Sequence, residues 1–531
     1  MLDGFKPWPR EFADRYRAHG HWRGRTLGSL LRDRAEATPE AVAVVDGARR
    51  WTYRDLDVRA DRLAAGIRRL GIGWGDRVLV HLPNIAEFME LSFALFRLGA
   101  VPVLALPAHR EAEISHLLAL SEAVAYVIPD THLGFDHRPL ARAVRAHAPR
   151  LRHVLVAGDA EEFTPLAALP TTPGPAPAPD PSDVALLLLS GGTTGAPKLI
   201  PRTHDDYVYN ATAAAEVARL TEADRCLTAL PAAHNFPLAC PGLLGTLHAG
   251  GTVVMCPDPS PDTAFPLIAR ERVTVTALVP SLVLLWLEAM AWADEDVSSL
   301  RLLQVGGSRL KTETARRVGP ELGCRLQQVF GMGEGLLCFT RLDDPDDLVL
   351  ASQGRPLSAD DELRVVGPDD QTVPTGEVGE LLVRGPYTLR GYYRAPEHNA
   401  RTFTPDGFFR SGDLVRLLPS GHVVVEGRGG DVINRGGEKV PVEEVENHLL
   451  SHPAVHDAVL VGLPDDRLGE RTCACVVPRG DPPTRADLTT HLTARGLAPY
   501  KLPDEVRVLP SLPRTALGKT DRAALARWAQ P

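Results

Sequence analysis

Cysteine is scarce in this sequence: Cys226, Cys240, Cys256, Cys324, Cys338, Cys473 and Cys475 are the only seven in 531 residues. They form no Cys-x-x-Cys pair and no zinc spacing, and a chain this long does not need disulfide staples. A small secreted scaffold and a zinc ribbon are thereby excluded, and a reducing, cytoplasmic setting is expected. Long apolar runs are missing as well. No stretch reaches the ~18 to 20 apolar residues of a membrane span, and the start, Met1 to Trp8, has no apolar signal core. Blocks of like charge are absent, and a net charge of -9 argues against a nucleic-acid surface. Neither a membrane nor a nucleic acid is an expected partner, and there is no internal repeat.

What remains is ordinary for a soluble globular protein: 44% hydrophobic and 24% charged residues. The length exceeds the size at which a single core stops growing, so two or more domains are expected. Thr52-Tyr53-Arg54-Asp55 resembles a capping box, and behind it Leu56, Ala60, Leu63, Ile67 and Leu70 share one helical face that ends at Gly71 and Gly73. Residues 77–82 read as a strand, 86–98 as a helix closed by Gly99, 101–104 as a strand, 114–121 as a helix and 123–128 as a strand. Strands alternating with helices imply parallel sheets in an α/β domain. Residues 164–182, rich in proline and alanine, read as an extended connector. Further strands are expected over 225–230, 252–256, 273–279, 302–305 and 325–330. From Glu362 the texture turns to short β segments (362–366, 379–384 and 422–426), a smaller antiparallel unit. After Gly427-Arg428-Gly429-Gly430 a helix over 442–450 and a strand over 458–462 begin a last small domain.

The apolar run Val184 to Leu189 reads as a fully buried parallel strand. It feeds Ser190-Gly191-Gly192-Thr193-Thr194-Gly195-Ala196-Pro197-Lys198, a loop of glycines, hydroxyls and a lysine suited to phosphate oxygens. Pro197 and the spacing exclude a Walker A loop. Taken alone, the stretch could also be a flexible surface turn. Other stretches are equally open in isolation. Gln304-Val305-Gly306-Gly307-Ser308 and Phe330-Gly331-Met332-Gly333-Glu334 could be strands ending in turns, or glycines that let a flat ring approach backbone beside Phe330, with Glu334 available to a divalent cation. Ser411-Gly412-Asp413 sets a carboxylate after a tight turn, suited to paired sugar hydroxyls or to an Asx turn. Gly427-Arg428 offers a guanidinium beside glycines, and Lys519 a cation on a loop near the C-terminus.

In this order, these motifs together resemble the core motifs of the adenylate-forming (ANL) superfamily, from roughly Leu27 to Trp528. The resemblance implies an α/β multidomain fold: a large N-terminal domain of α/β subdomains plus a β subdomain (1–429) and a small, mobile α+β C-terminal domain (430–531). It implies ATP and Mg²⁺. Ser190, Gly191, Gly192, Thr193, Thr194, Gly195 and Lys198 would hold the ATP phosphates. Gly306, Gly307, Val329, Phe330 and Gly331 would border the adenine, Glu334 would hold the metal, Asp413 the ribose, and Arg428 the ribose and phosphate region. Lys519 would reach the substrate carboxylate and α-phosphate, stabilising charge that develops in the transition state. The hinge would fall at Gly430, where relatives often have Asp or Lys; glycine should loosen it.

Ala233-His234-Asn235-Phe236-Pro237-Leu238, Pro201-Arg202-Thr203-His204-Asp205-Asp206-Tyr207 and Gly4-Phe5-Lys6-Pro7-Trp8-Pro9 are similar to the stand-alone aryl-acid adenylating enzymes of siderophore assembly. Domains for α-amino acids usually place an aspartate where Asn235 falls. A neutral amide suits an aromatic acid with a neighbouring hydroxyl, since a buried unpaired carboxylate would be costly. The acid pocket is expected at His234, Asn235, Phe236, Cys240, Ser308, Gly333 and Leu337, with His234 and Lys519 at the carboxylate end. Enzymes for 2,3-dihydroxybenzoate typically carry serine and valine at the positions of Cys240 and Leu337. A thiol acts more like a small apolar group, which favours salicylate, although Cys240 could simply be a packing residue. Gly333, where alanine is common, would enlarge the pocket toward substituted salicylates or hydroxypicolinate. The implied acceptor is the phosphopantetheine thiol of an aryl carrier protein in trans, because no Gly-Gly-x-Ser attachment motif follows Lys519. The rival reading is an aryl-CoA ligase using free coenzyme A.

Overall fold

The computed structural model describes residues 2–174, 177–190, 197–428, 432–435, 438–465, 468–495, 497, 499–515 and 519–529. The expected capping box is formed: Thr52 Oγ accepts from the Asp55 N–H while the Asp55 carboxylate accepts from the Thr52 N–H, and the helix Tyr53–Arg69 starts there. The helix Ala86–Leu98 stops where Gly99 turns left-handed at φ 71°, a conformation that excludes most side chains. Between and after these helices run the parallel strands Arg77–Val80, Val101–Leu104, Ala125–Pro129 and His153–Ala157. They belong to a seven-stranded sheet completed by Thr164–Pro165 at one edge and by Val184–Leu189 and Leu199–Thr203 at the other.

Two readings of the sequence are corrected here. Val184–Leu189 is buried as expected, but only one side pairs in parallel, Leu187 with Val103. Its other side pairs antiparallel with Leu199–Thr203, a strand the pattern did not announce, so the glycine-rich loop spans a hairpin. The 164–182 connector is not wholly irregular, since Thr164–Pro165 adds a short parallel edge strand and Leu166–Ala168 a 3₁₀ turn.

The second sheet has nine strands. Arg225–Thr228, Thr252–Met255, Val275–Leu278, Leu302–Val305 and Arg325–Met332 run parallel at its centre. Gly335–Phe339 returns antiparallel against Arg325–Met332. One apolar core packs between the helices and both sheets, from Leu27 to Val423. Four antiparallel strands, Glu362–Val366, Val378–Arg384, Phe409–Leu417 and Val423–Arg428, form the smaller β unit that the texture change announced. Beyond them, Val455–Asp465 and Gly469–Pro478 pair over their whole length and pack with Val442–Leu450 around a separate core, from Ile433 to Leu497. Ion pairs and hydrogen bonds link this last unit to the nine-stranded sheet: Arg309 with Glu443 at 3.0 Å, His456 with Glu288 at 2.8 Å, and Lys311 Nζ to the Ala458 carbonyl at 3.0 Å. All seven cysteines are buried and unbridged. Among the described residues, no helix is long and apolar enough to cross a membrane.

Candidate active site

The glycine- and threonine-rich loop leaves a buried strand and re-enters the next, and its two ends are tied together. The Ser190 N–H donates to the Lys198 carbonyl at 2.9 Å, and the Lys198 N–H donates to Ser190 Oγ at 3.0 Å. Gly191, Gly192, Thr193, Thr194, Gly195 and Ala196 lie outside the described residues. The Lys198 ammonium sits 5.9 Å from the centre of the Tyr392 ring, and the Tyr392 hydroxyl donates to Glu334 Oε1 at 2.8 Å. Glu334 therefore shares one aromatic neighbour with the loop lysine, and its carboxylate, 8% exposed, is held rather than waving in solvent.

Glu334 stands at a hairpin. The Phe330-Gly331-Met332 stretch is strand, and Gly333-Glu334 is the turn between Arg325–Met332 and Gly335–Phe339. Tight approach explains the glycines. A Cβ on Gly331 would fall 2.4 Å from Leu337 Cδ2 across the hairpin, and one on Gly306 would fall 2.9 Å from the Val329 carbonyl. Gly306 and Gly307 follow the strand Leu302–Val305, whose register sets Val305 beside Gln328, so Val329 and Phe330 continue alongside them. These residues together form one ledge at the carboxyl ends of parallel strands, where ligands collect in open α/β sheets.

Beside the ledge is a small cavity lined by Leu230, Pro231, His234, Phe236, Val279, Gly307 and Lys519. His234 caps the five-residue helix Asn235–Ala239, its Nδ1 accepting the Phe236 N–H at 3.3 Å. That bond leaves the proton of a neutral ring on Nε2. Burial, and after it the Lys519 ammonium, push the imidazole down to about 3. Lys519 arrives on a clasped loop, with the Thr515 N–H donating to its carbonyl at 2.7 Å and Arg514 bridging to Thr520. Residues from 234 to 519 thus meet at one point.

Behind the cavity's apolar lining, packed against Phe236 and Val279, lie the residues expected to sense the acid. Asn235 and Cys240 touch: the amide Nδ2 donates to Sγ at 3.5 Å, and the thiol reaches the Asn235 carbonyl at 3.4 Å. Burial pushes the Cys240 thiol up to about 12, so it stays protonated. Cys240, Phe236, Val279, Val329 and Leu337 belong to one apolar cluster. Two expected pocket residues stand differently. Ser308 is exposed, unlike Asn235, Cys240 and Leu337, which are buried. A Cβ on Gly333 would point at Ile200 Cδ1, 3.0 Å away, and then at Leu188 and Leu189, not at Cys240 or Leu337. The expected enlargement at Gly333 is therefore against the neighbouring strands, because the hairpin turn faces them.

Polar residues that the sequence did not single out for a role support this wall. The Tyr207 hydroxyl donates to Asn235 Oδ1 at 2.8 Å, fixing which end of the amide faces where. Arg202, fully buried, pairs with Asp206 at 2.7 Å and donates to the Gly333 carbonyl at 3.0 Å and to Asn210 Oδ1 at 3.2 Å. Asn210 in turn donates to the Ala239 carbonyl at 2.7 Å. One guanidinium thus ties the Glu334 hairpin to the helix that carries Asn235. On the opposite side the Leu337 N–H donates to the Tyr387 hydroxyl at 3.1 Å, which donates to Asp361 at 2.6 Å. Burial raises that carboxyl to about 7. The Arg202–Asp206 pair has i, i+4 spacing just inside a Thr203–Asp206 capping box, which is a local signal; the long-range partners have none.

Asp413 is also corrected. It does not follow a tight turn but lies inside the strand Phe409–Leu417, at a bulge where Glu380 pairs with Leu414 and Leu382 with Arg410. Gly412 takes φ 73° there, and Ser411 Oγ accepts the Asp413 N–H at 3.0 Å. The bulge re-aims the carboxylate, as bulges near sites do. Asp413 pairs in register with the Arg428 backbone. Gly430 lies outside the described residues, as do Ala516, Leu517 and Gly518.

Comparison with known proteins agrees with this geometry. Residues 31–393 match the model of the AMP-binding enzyme family, and residues 444–519 match that of the AMP-binding enzyme C-terminal domain. The chain is 56% identical to a 2,3-dihydroxybenzoate-AMP ligase of Bacillus subtilis, over 99% of this chain and 97% of that protein. It is 53% identical to a salicyl-AMP ligase / salicyl-S-ArCP synthetase of Mycobacterium tuberculosis, over 99% and 94%. The apo structure of Mycobacterium smegmatis MbtA, 54% identical, superposes with a TM-score of 0.77 over 99% of this chain and 98% of that one. Similar enzymes therefore carry names for two different acids at nearly equal identity, so overall identity does not choose between them. With a family model covering more than half its length and relatives above half identity from end to end, the chain belongs to the AMP-binding enzymes, the adenylate-forming ligases.

Proposed function

We propose that the enzyme activates salicylate with ATP and transfers the acyl group to the phosphopantetheine thiol of an aryl carrier protein. The observation that carries this reading is a cavity in which Lys519 meets His234, and whose apolar lining, Leu230, Phe236 and Val279, packs directly against Cys240 and Leu337 beside Asn235. In the first step a carboxylate oxygen attacks the α-phosphorus of ATP, and the bond to pyrophosphate breaks in line. Lys519 bears the charge that grows on the carboxylate and α-phosphate, a cation set in the cavity beside His234. His234, neutral at physiological pH, can donate from Nε2 and adds no competing charge. In the second step the thiol sulfur attacks the acyl carbonyl and AMP leaves.

Ser190 and Lys198 would position the β- and γ-phosphates at the loop's base, with Gly191 to Gly195 between them. Gly306, Gly307, Val329, Phe330 and Gly331 would receive the adenine on the ledge, and Asp413 and Arg428 the ribose. Glu334 offers a buried carboxylate, a hard oxygen donor suited to Mg²⁺ with phosphate co-ligands, which would neutralise pyrophosphate charge. We place the mobile unit at 430–531, with Gly430 as hinge, because that unit has its own core. We also place the enzyme in the cytoplasm, where buried unbridged cysteines are at home.

Salicylate is favoured over 2,3-dihydroxybenzoate because a neutral thiol and Leu337 offer no strong partner for a 3-hydroxyl. Since Gly333 faces Ile200, its missing methyl gives no reason to choose a larger ring. Pyrophosphate exchange over salicylate, 2,3-dihydroxybenzoate and hydroxypicolinate tests the reading, with the highest kcat/KM expected for salicylate. A clear preference for the catechol acid would overturn the choice of acid, and no exchange with any aryl acid would overturn the function. Faster transfer to free coenzyme A than to a pantetheinylated carrier would make it an aryl-CoA ligase instead.

A further inference from the structure

Far from the cavity in sequence, a second cluster of donors converges at the N-terminal end of the chain. The helix Arg10–Ala18 ends in His19-Gly20-His21. Gly20 takes φ 76°, and the backbone is held by bonds from the His19, Gly20 and His21 N–H groups to the carbonyls of Arg15, Arg17 and Tyr16. That left-handed turn directs both imidazoles to the same side. Facing them is Asp360, whose own N–H is held by Ser358 Oγ at 3.1 Å. A single carboxylate oxygen, Asp360 Oδ2, lies 2.5 Å from His19 Nδ1 and 2.7 Å from His21 Nε2. The three donor atoms all fall within 4.8 Å of one another.

We propose that His19, His21 and Asp360 form a binding site for a divalent transition-metal ion of the Zn²⁺ type, distinct from the nucleotide's magnesium. Two imidazoles and a carboxylate are the donor set that Zn²⁺, Co²⁺ and Ni²⁺ prefer, whereas Mg²⁺ prefers oxygen alone. Donors around a tetrahedral Zn²⁺ lie about 3.3 Å apart, given metal–ligand bonds near 2.0 to 2.1 Å. An ion would therefore enter by moving Asp360 Oδ2 less than about 1 Å farther from each imidazole nitrogen. His21 and Asp360 are mostly covered while His19 is half exposed, which leaves an approach for the ion and room for water as a fourth ligand.

The site would be structural. It joins the end of the first helix to the segment before the strand Glu362–Val366, next to the Arg15–Glu362 ion pair at 2.9 Å that already links the two elements. It also abuts the acid cavity's support. The His21 ring lies 4.6 Å from that of Tyr209, which lies 5.9 Å from Tyr387, and Asp361, next to Asp360, is the partner of the Tyr387 hydroxyl that anchors the Leu337 backbone.

The test is Co²⁺ titration of the full chain, stripped of metal and kept in excess Mg²⁺ without nucleotide, following visible d–d absorption and the bound stoichiometry. The expected result is one equivalent of Co²⁺ with a tetrahedral-type band, competed away by Zn²⁺, and a rise in Tm on adding Zn²⁺. Asp360→Asn and His19→Gln should each weaken binding by about tenfold or more and abolish the Zn²⁺-dependent rise in Tm, while Glu334→Gln should leave the band unchanged. His19 is exposed enough that its variant folds even where Asp360→Asn does not. No band in the parent protein, or a band that survives in both variants, overturns the proposal, as does a band lost only with Glu334.

Discussion

Replacing Cys240 by serine should move the enzyme's preference toward 2,3-dihydroxybenzoate. In the parent protein the thiol is protonated, lies within 3.5 Å of the Asn235 amide, and packs with Phe236, Val279 and Leu337. A hydroxyl in its place is a better donor and acceptor on a shorter bond. With salicylate bound, it finds the Asn235 carbonyl and side-chain amide that the thiol already reaches, so little changes. With the catechol acid, a hydroxyl–hydroxyl bond forms where the thiol offered a weak one. A neutral hydrogen bond contributes about 0.5 to 1.5 kcal/mol net, so the ratio of kcat/KM for the two acids should shift about 2- to 13-fold toward the catechol. Leu337→Val would remove one methylene, worth about 0.8 kcal/mol of packing against salicylate. Because both residues belong to one cluster, the double variant should not be a simple sum. Pyrophosphate exchange with each acid, at saturating ATP, gives the ratio directly. If Cys240→Ser leaves that ratio unchanged while Tm and the KM for ATP stay at parent values, the thiol does not face the ring and the assignment of the wall fails.

Lys519→Ala should abolish adenylate formation while largely sparing thioester formation from supplied aryl-adenylate; equal loss of both half-reactions would refute its role in the first step alone. Arg202→Met should destabilise the protein by about 3 to 5 kcal/mol, because it strands the fully buried Asp206 and frees the Glu334 hairpin. An unchanged Tm would show that the buried pair is dispensable, and Arg202→Met with Asp206→Leu should recover part of the loss. His234, held near 3 instead of its ordinary 6.5, is neutral throughout the working range, and as pH falls from 6.5 toward 3 folding stability is lost because the unfolded chain binds a proton that the buried ring does not. His234→Gln should lower adenylation without reshaping the pH profile between about pH 6 and 8, and an acid limb near 6.5 that vanishes in the variant would refute this.

Local chemistry explains which parts were legible before the structure. The Thr52–Asp55 cap, the Gly99 stop and the short parallel strands follow from residue type and period, and they appear within a few residues of where the pattern places them. Leu199–Thr203 escaped because a proline and an arginine interrupt it, and its strand character comes from pairing with Val184–Leu189. Ser411-Gly412-Asp413 reads as a turn because those residue types favour turns; two flanking strands stretch it into a bulge instead. The motif residues were visible as motifs, Arg202 and Tyr207 among them though without their roles, whereas Tyr387 and Tyr392 were not visible at all. Their partners lie tens to more than a hundred positions away and are chosen by packing, which no spacing encodes. Gly333 shows the converse: what a missing side chain leaves open depends on where its Cβ would point, here toward Ile200.

The cavity's electrostatics also explain why a lysine far along the chain should be the catalytic cation. His234 is held neutral chiefly by burial, and only secondarily by Lys519. If Lys519 withdraws for the second step, burial still keeps the imidazole uncharged. Cys240 is likewise held protonated by burial, and Asn235 is neutral by nature. On the proposed function, His234, Asn235 and Cys240 would therefore keep one charge state through both steps, and Lys519 would be the charge that is brought and removed. A cation fixed in the N-terminal unit would stabilise the adenylate's phosphate equally in both steps and would hold back departure of AMP. A cation on the clasped loop between Thr515 and Thr520 can serve the first transition state and be absent from the second. Switching by movement and not by protonation would leave the proposed acid-binding residues the same for both half-reactions, so the choice of acid would be made once, at Asn235, Cys240 and Leu337.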